Sequence, residues 1–241
     1  MVRFTIDASN LKSMLDVMNM FSCDSILHLR EDKAEIVEVS VDHTCLIHAE
    51  IDLSVFGVYD YDKDEDISFN MKKWNVIIKT LKGEVSIETE GSLVYVKCGK
   101  STYTVTQNYI TGVSTRMPNV PFDVSFSISM PDFKRAIDVC SEFAEIVHLK
   151  TDEDSFIVYA NMNANSSNIV FPIEELKDVE PCMTFASSAL VYTQLSNFFK
   201  YVKSDTVRIS LGTDVPTNYR FTLMDGNLIG DFMVAPIIGD D

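Results

Sequence analysis

The sequence predicts an α+β protein made of two tandem domains, each with about two helices packed on antiparallel sheet. Three observations predict it: the chain repeats at half length, short alternating segments outnumber helical ones, and both kinds recur in the same order in each half. Residues Asn10–Val17 (NLKSMLDV) match Asp132–Val139 (DFKRAIDV) at an offset of 122. After a two-residue slip, Ile26–Arg30 (ILHLR) recurs as Ile146–Lys150 (IVHLK), which sets His28 on His148. Farther along, Ile78–Glu84 lies over Phe199–Asp205, and Val85-Ser86-Ile87 over Val207-Arg208-Ile209. A repeat of this size is a small domain rather than a solenoid unit. The expected domains are residues 1–115 and 116–241, with a connector at about 108–122 (Asn108–Phe122) that holds two prolines and little periodicity.

Each copy opens on an alternating strand, Val2–Asp7 and Val124–Met130. A helix follows in both. Ser9 is the expected start signal ahead of Leu11, Met14, Leu15 and Met18, and Pro131 takes a first-turn position ahead of Phe133, Ala136, Ile137 and Cys140. Three strands come next: Ser25–Arg30, Glu35–Val41 and Cys45–Ile51 in one copy, Glu145–Lys150, Ser155–Ala160 and Asn168–Pro172 in the other. Their alternation and modest length suit antiparallel sheet with one buried face. The second helix is expected over Met71–Lys82 and over Ala189–Lys203. Three further strands close each copy, Val85–Thr89, Leu93–Lys97 and Thr102–Gln107, then Thr206–Leu211, Asn218–Met224 and Leu228–Val234.

At 241 residues and 46% apolar composition the chain has enough apolar surface for two ordinary cores. No basic segment followed by an apolar run opens it, and no apolar stretch approaches the length of a membrane span, so no membrane association is expected. The cysteines Cys23, Cys45, Cys98, Cys140 and Cys182 are scattered singly. That pattern argues for a reducing compartment and against a disulfide framework or a zinc site. Asn165-Ser166-Ser167 matches a glycosylation sequon but reads as a loop.

The net charge of −16 is unevenly placed. Over residues 10–20, 70–82, 132–143 and 190–203 there are nine basic residues against four acidic ones, whereas the rest of the chain holds eleven basic and thirty-two acidic residues. The nine are Lys12, Lys72, Lys73, Lys79, Lys82, Lys134, Arg135, Lys200 and Lys203. Helices that are basic in both copies of an acidic chain point to a surface that follows a polyanion. They lack the Arg, Asn and Gln clusters that read base edges, so recognition of phosphate without sequence preference is expected.

Other chemistry finds no support in the residues. Tyr59–Asp66 (YDYDKDED) imitates the start of a calcium loop, but Glu65 stands where glycine is needed and Met71 where the closing glutamate belongs. His28 and His148 read as structural strand residues, and His43 and His48 show no Cys or carboxylate partner at metal spacing. No glycine-rich phosphate loop, GxSxG or HExxH is present. No catalytic residues, cofactor or metal are therefore expected.

Several segments, in their order and spacing, resemble one family. They are Ser40-Val41-Asp42-His43 running into Leu46, Phe56–Tyr59 (FGVY), Met117–Phe122 (MPNVPF), Asp214-Val215-Pro216, and Met233–Ile238 (MVAPII) followed by acids. The chain resembles, over essentially its full length, the sliding clamps of the proliferating cell nuclear antigen (PCNA) type, of archaea and eukaryotes. The resemblance implies a ring of pseudo-sixfold symmetry, commonly a homotrimer, whose helices line a channel around duplex DNA. It implies a processivity factor for DNA replication and repair, intracellular and DNA-associated, in nucleoid or nucleus. The implied partners are DNA polymerase, a clamp loader, and other proteins carrying a PIP motif such as flap endonuclease and ligase. By position, partner binding would use Val41, Cys45, Leu46, Met117, Val215, Pro216, Met233, Ala235 and Pro236. Cys45 stands where many relatives carry histidine, and Met233 where many carry an aromatic residue. Subunits would join through Tyr103, Val105 and Gln107 on one edge and Asn168, Val170 and Pro172 on the other. The alternatives are a clamp-fold subunit of a heterotrimeric checkpoint-type or transcription-related clamp and, from another class, a metal-dependent enzyme using the acidic 59–66 loop.

Overall fold

The computed structural model describes residues 2–21, 24–60, 63–107 and 117–237. Most of the connector, Cys23, Tyr61 and Asp62 of the acidic loop, and the last residues from Ile238 lie outside the described residues. Two compact units emerge. One comprises Met1–Val41, Ile47–Arg116 and Leu223–Gly230, and the other Asp42–Leu46, Met117–Thr222 and Asp231–Asp241.

The first half of the chain runs β1 (Arg3–Asp7), α1 (Ala8–Met18), β2 (Asp24–Leu29), β3 (Ala34–Val39), β4 (Cys45–Ile51), β5 (Phe56–Asp60), β6 (Glu65–Asn70), α2 (Met71–Ile77), β7 (Glu84–Glu90), β8 (Leu93–Cys98) and β9 (Ser101–Thr106). The second half repeats that order with β10 (Val124–Ser129), α3 (Met130–Ser141), β11 (Ile146–Thr151), β12 (Ser155–Met162), β13 (Asn165–Pro172), β14 (Lys177–Glu180), β15 (Ala186–Val191), α4 (Tyr192–Tyr201), β16 (Thr206–Leu211), β17 (Thr217–Leu223) and β18 (Leu228–Val234). In the first unit, one sheet has the order β5-β1-β7-β8-β9 and a second run has the order β4-β3-β2-β6. In the second unit the corresponding groups are β14-β10-β16-β17-β18 and β13-β12-β11-β15.

Strand register carries the duplication into three dimensions. Arg3 faces Glu88 and Phe4 faces Ile87 across β1 and β7, while Ser125 faces Ser210 and Phe126 faces Ile209 across β10 and β16. Each pair is displaced by the same 122 residues. The helix entries repeat too: the Ala8 amide donates to the Gly83 carbonyl at 2.9 Å, and the Met130 amide to the Asp205 carbonyl at 2.9 Å. β2 and β11 begin at Asp24 and Ile146, which keeps the offset of 122 through this strand without the expected two-residue slip. His28 thus corresponds to Lys150 rather than to His148.

Each copy holds two strands more than the alternation predicts. β5 and β14 are mostly exposed edge strands, FGVYD and KDVE, and present too little apolar periodicity to be read. The helices are correspondingly shorter. α2 ends at Ile77 and passes into a 3-10 turn, Ile78–Thr80, while Ala189 belongs to β15 and α4 begins at Tyr192. The sequon Asn165-Ser166-Ser167 lies at the start of β13 rather than in a loop.

Capping explains the helix starts. Asp7, not Ser9, caps α1: its carboxylate accepts from the Ser9 amide at 2.8 Å and the Ser9 hydroxyl at 2.6 Å. Ser129 caps α3 by accepting from the Asp132 amide at 3.4 Å, with Pro131 in the first turn. All eight apolar helix positions anticipated from spacing, Leu11, Met14, Leu15, Met18, Phe133, Ala136, Ile137 and Cys140, are buried. Around them the cores are aromatic. Phe69 lies on Trp74 with ring centroids 4.6 Å apart in the first unit, and Phe198 stacks on Phe232 at 5.0 Å in the second. Among the described residues no helix is long and apolar enough to cross a membrane.

The cap on α2 yields a direct test. Asn70 accepts from the Lys73 amide at 3.1 Å and donates to Asp24 at 2.8 Å. Asn70→Ala is expected to destabilise the chain by about 1 kcal/mol in urea unfolding. An unchanged midpoint would show that the cap does not contribute.

Candidate nucleic-acid interface

In each unit the two helices pack side by side. Asn19, at the end of α1, exchanges two amide hydrogen bonds with Asn75 of α2, at 2.9 and 2.8 Å. In the second unit Tyr192 of α4 donates to Asp138 of α3 at 3.2 Å, and the Phe133 and Phe199 rings meet edge to face at 5.6 Å. The apolar faces of the helices turn inward onto sheet, so their lysines are left on the outer face.

These basic residues are not equivalent. Lys12 is paired with Asp16 at 2.5 Å, one turn on, and its repeat counterpart Lys134 is paired with Asp138. Arg135 bonds Asp132 at 2.8 Å. Lys203 donates to the Phe199 carbonyl at 3.0 Å, and Lys200 lies 4.7 Å from the ring of Tyr201. Lys72, Lys73, Lys79, Lys82 and Lys200 are exposed and form no ion pair among the described residues. Lys82 and Lys203 lie just beyond the helices rather than within them. The positive surface of the first unit therefore comes chiefly from α2 and the turn after it.

Several of the residues assigned to partner docking come together in the second unit. The Ala235 amide donates to the Thr44 carbonyl at 2.8 Å, which seats the terminal segment beside Cys45. Val215 packs on Gly212: a methyl group there would meet Val215 Cγ2 at 2.6 Å and the Pro121 carbonyl at 3.2 Å. That position needs glycine. Leu46, Met117, Pro216, Ala235 and Pro236 are half-buried, whereas Cys45 and Met233 are 4% and 6% exposed. The last two form the underside of this surface, not its rim. Val41 belongs to the first unit and is 90% exposed.

The strands assigned to subunit contact are both terminal in their sheets among the described residues, β9 in one unit and β13 in the other. Their side chains divide. Val105 is buried in its own unit, and Gln107 accepts from the Ser68 amide at 2.9 Å, so both serve internal packing. The Tyr103 hydroxyl lies 2.7 Å from that of Thr80. Asn168, Val170 and Pro172 are exposed on β13.

Two acids of the 59–66 segment, Asp64 and Asp66, have basic neighbours. Arg30 bonds Asp66 at 3.0 Å and approaches Asp64 at 3.9 Å, and His28 bonds Asp66 at 2.9 Å. Burial pushes the Asp66 carboxyl up, but the His28 and Arg30 contacts outweigh it and hold the group below its ordinary range. His148 stacks on Tyr159 at 4.8 Å, and burial holds its imidazole below the ordinary value. His48, expected without a carboxylate partner, has two: Glu35 at 3.4 Å and Glu50 at 3.8 Å. Glu35 comes from the neighbouring strand, which spacing does not reveal, whereas Glu50 stands two residues on along β4 itself.

No protein-family model matches the chain. Individual relatives do. A DNA polymerase sliding clamp of Thermoplasma acidophilum is 21% identical, with 98% of each chain covered. A sliding clamp of Archaeoglobus fulgidus is 24% identical, with 95% of each covered. Among solved structures, A. fulgidus PCNA bound to the C-terminal region of FEN-1 superposes with a TM-score of 0.90 at 22% identity over the whole of both chains. The chain is similar from end to end to DNA polymerase sliding clamps and has the fold of PCNA. The clamp fold also extends to the PCNA2–PCNA3 complex of Sulfolobus tokodaii, with a TM-score of 0.81 and 23% identity over 98% of this chain and 99% of that one.

In this fold, the half-length repeat takes a concrete form: two helices per unit, backed by sheet, with unpaired lysines on the outer helix face. The missed features are those that depend on neighbours distant in sequence. Helix spacing does separate the paired Lys134, with Asp138 four residues on, from Lys79, which has no acid at that spacing.

Proposed function

We propose that this chain is a DNA sliding clamp, a processivity factor that encircles duplex DNA and tethers DNA polymerase and other replication and repair proteins. The observation that carries the reading is the end-to-end likeness, in sequence and in fold, to proteins named DNA polymerase sliding clamps. Charge placement supports the DNA part. A chain of net charge −16 presents unpaired lysines on its helices, which suits loose, phosphate-following contact and disfavours binding elsewhere on the surface. Loose contact is what sliding requires; retention comes from topology.

In this reading the domains are 1–115 and 116–241, the DNA-facing groups are Lys12, Lys72, Lys73, Lys79, Lys82, Lys134, Arg135, Lys200 and Lys203, and the chain has no catalytic activity of its own. PIP-motif proteins, flap endonuclease and ligase among them, dock on the second unit near Leu46, Val215, Pro216, Ala235 and Pro236, and Cys45 and Met233 shape the floor. β9 of one subunit pairs with β13 of the next through backbone groups, closing a trimeric ring. The clamp works inside the cell, on DNA.

Retention after loading tests the proposal. Loaded clamp should stay on circular DNA and be lost from the same DNA once it is linearised. Equal retention on both forms is incompatible with a sliding ring. Solution mass across a salt range separates the assemblies: three times the monomer supports a homotrimer. A monomer throughout supports a subunit that needs a related partner, the reading favoured by the likeness to a PCNA2–PCNA3 complex.

A further inference from the structure

Glu35 of β3 and His48 and Glu50 of β4 lie on the face of their sheet opposite the buried Ile36, Ile47 and Ala49. Each offers one ligand atom, and the three atoms lie within 4.8 Å of one another. Tetrahedral zinc with ligands near 2.0–2.1 Å has ligand–ligand edges of about 3.4 Å. The Glu35 Oε1 to His48 Nε2 distance is already 3.4 Å, and His48 Nε2 to Glu50 Oε1 is 3.8 Å. A cation already occupies the space: the Lys33 ammonium sits 2.5 Å from Glu35 and 2.8 Å from the same Glu50 oxygen that faces His48.

We propose that Glu35, His48 and Glu50 form a zinc(II) site on the solvent face of β3 and β4, entered by displacement of the Lys33 ammonium. The chemistry favours exchange. Lys33 brings one positive charge to two carboxylates and leaves the imidazole nitrogen without a metal or ammonium partner. Zinc brings two charges, which balance both carboxylates, and accepts the imidazole as a third ligand. Lys33 is held by a flexible stem and is over a third exposed, so it can swing into water when displaced. The fourth zinc position opens to solvent. Magnesium is disfavoured because it takes oxygen ligands in near-octahedral geometry and resists dehydration. This site is independent of DNA encirclement.

Calorimetric titration of the full chain with zinc chloride, and separately with magnesium chloride, in thiol-free buffer tests it. One zinc per chain should bind with a Kd of about micromolar order, and magnesium should give no saturable heat. Glu35→Gln and His48→Gln should each weaken zinc at least about tenfold, while Lys33→Met, which removes the competing cation, should tighten it about tenfold. Far-ultraviolet melts of the variants check that each is folded. Because the chain carries free cysteines, cobalt(II) serves as the spectroscopic probe. Bound cobalt should show visible bands without a thiolate-to-metal charge-transfer band. Zinc affinity unchanged in folded His48→Gln, a thiolate band on the bound cobalt, or no zinc binding by either the natural chain or Lys33→Met would overturn the site.

Discussion

Lys79→Glu combined with Lys200→Glu is expected to reduce processive DNA synthesis about tenfold at about 0.1 M salt, with folding and assembly unchanged. Both side chains are exposed and neither is held by a carboxylate among the described residues, so nothing internal depends on their charge. In the proposed reading, reversal replaces two attractive contacts with phosphate by two repulsive ones, in repeat-related places on the two units. The pairing map sharpens the expectation. Lys12→Gln with Lys134→Gln should have a smaller effect, because Asp16 and Asp138 already offset those charges. Raising salt should narrow the gap between the natural chain and the reversal variant, since screening removes attraction and repulsion alike. Unchanged processivity with an intact assembly would remove these lysines from the DNA path.

The second large effect is expected at Glu38. This residue follows Ala34 and Ile36 at strand spacing on β3, so its carboxyl points to the same buried side as theirs. Oε1 accepts from the Ser25 hydroxyl, while Oε2 is buried with no partner among the described residues. Burial raises the carboxyl to about 7, against a weaker opposing effect of the Ser25 hydrogen bond. The folded chain therefore binds this proton more tightly than the unfolded chain does. Below about pH 4.5 both states are protonated and the group makes no difference. As pH rises toward 7 the unfolded state ionises first, stability falls, and it levels off once the folded state ionises too. Urea denaturation should show Glu38→Gln gaining roughly 2.5 kcal/mol on the natural chain between pH 5 and pH 8. Any constant cost of the buried amide cancels in that comparison. Parallel pH profiles would mean that Glu38 is solvated in the folded chain.

Much of the architecture was legible because it rests on local, periodic signals. The spacing of Leu11, Met14, Leu15 and Met18 names the buried face of α1, and the same stripe at Phe133, Ala136, Ile137 and Cys140 names that of α3. Where exposure replaced periodicity, reading failed: β5 and β14 are edge strands with few buried side chains, and α2 stops at Ile77 although apolar residues continue. The likeness of Ile26–Arg30 (ILHLR) to Ile146–Lys150 (IVHLK) suggests a two-residue slip, whereas strand register follows backbone pairing and keeps the offset of 122. At the candidate sites, the basic residues and their helix-spaced acid partners were legible, but which edge side chains turn inward was not. Val105 and Gln107 lie on the expected edge strand and yet turn to internal packing.

Amino-acid order alone established the duplication, the alternation of helix and strand, and the placing of positive charge on helices of an acidic chain. All three are properties of neighbours along the chain, readable through periods of about two and 3.6 residues. Helix spacing also set which of those charges are paired, since Lys12–Asp16, Lys134–Asp138 and Arg135–Asp132 each lie three or four residues apart. Tertiary structure alone set Lys33 and Glu35 beside His48 and Glu50 and buried the Glu38 carboxyl, since strand pairing joins segments that no local spacing connects. Ionisation and ligand geometry depend on those distances through space, which is why they could be read only from the fold.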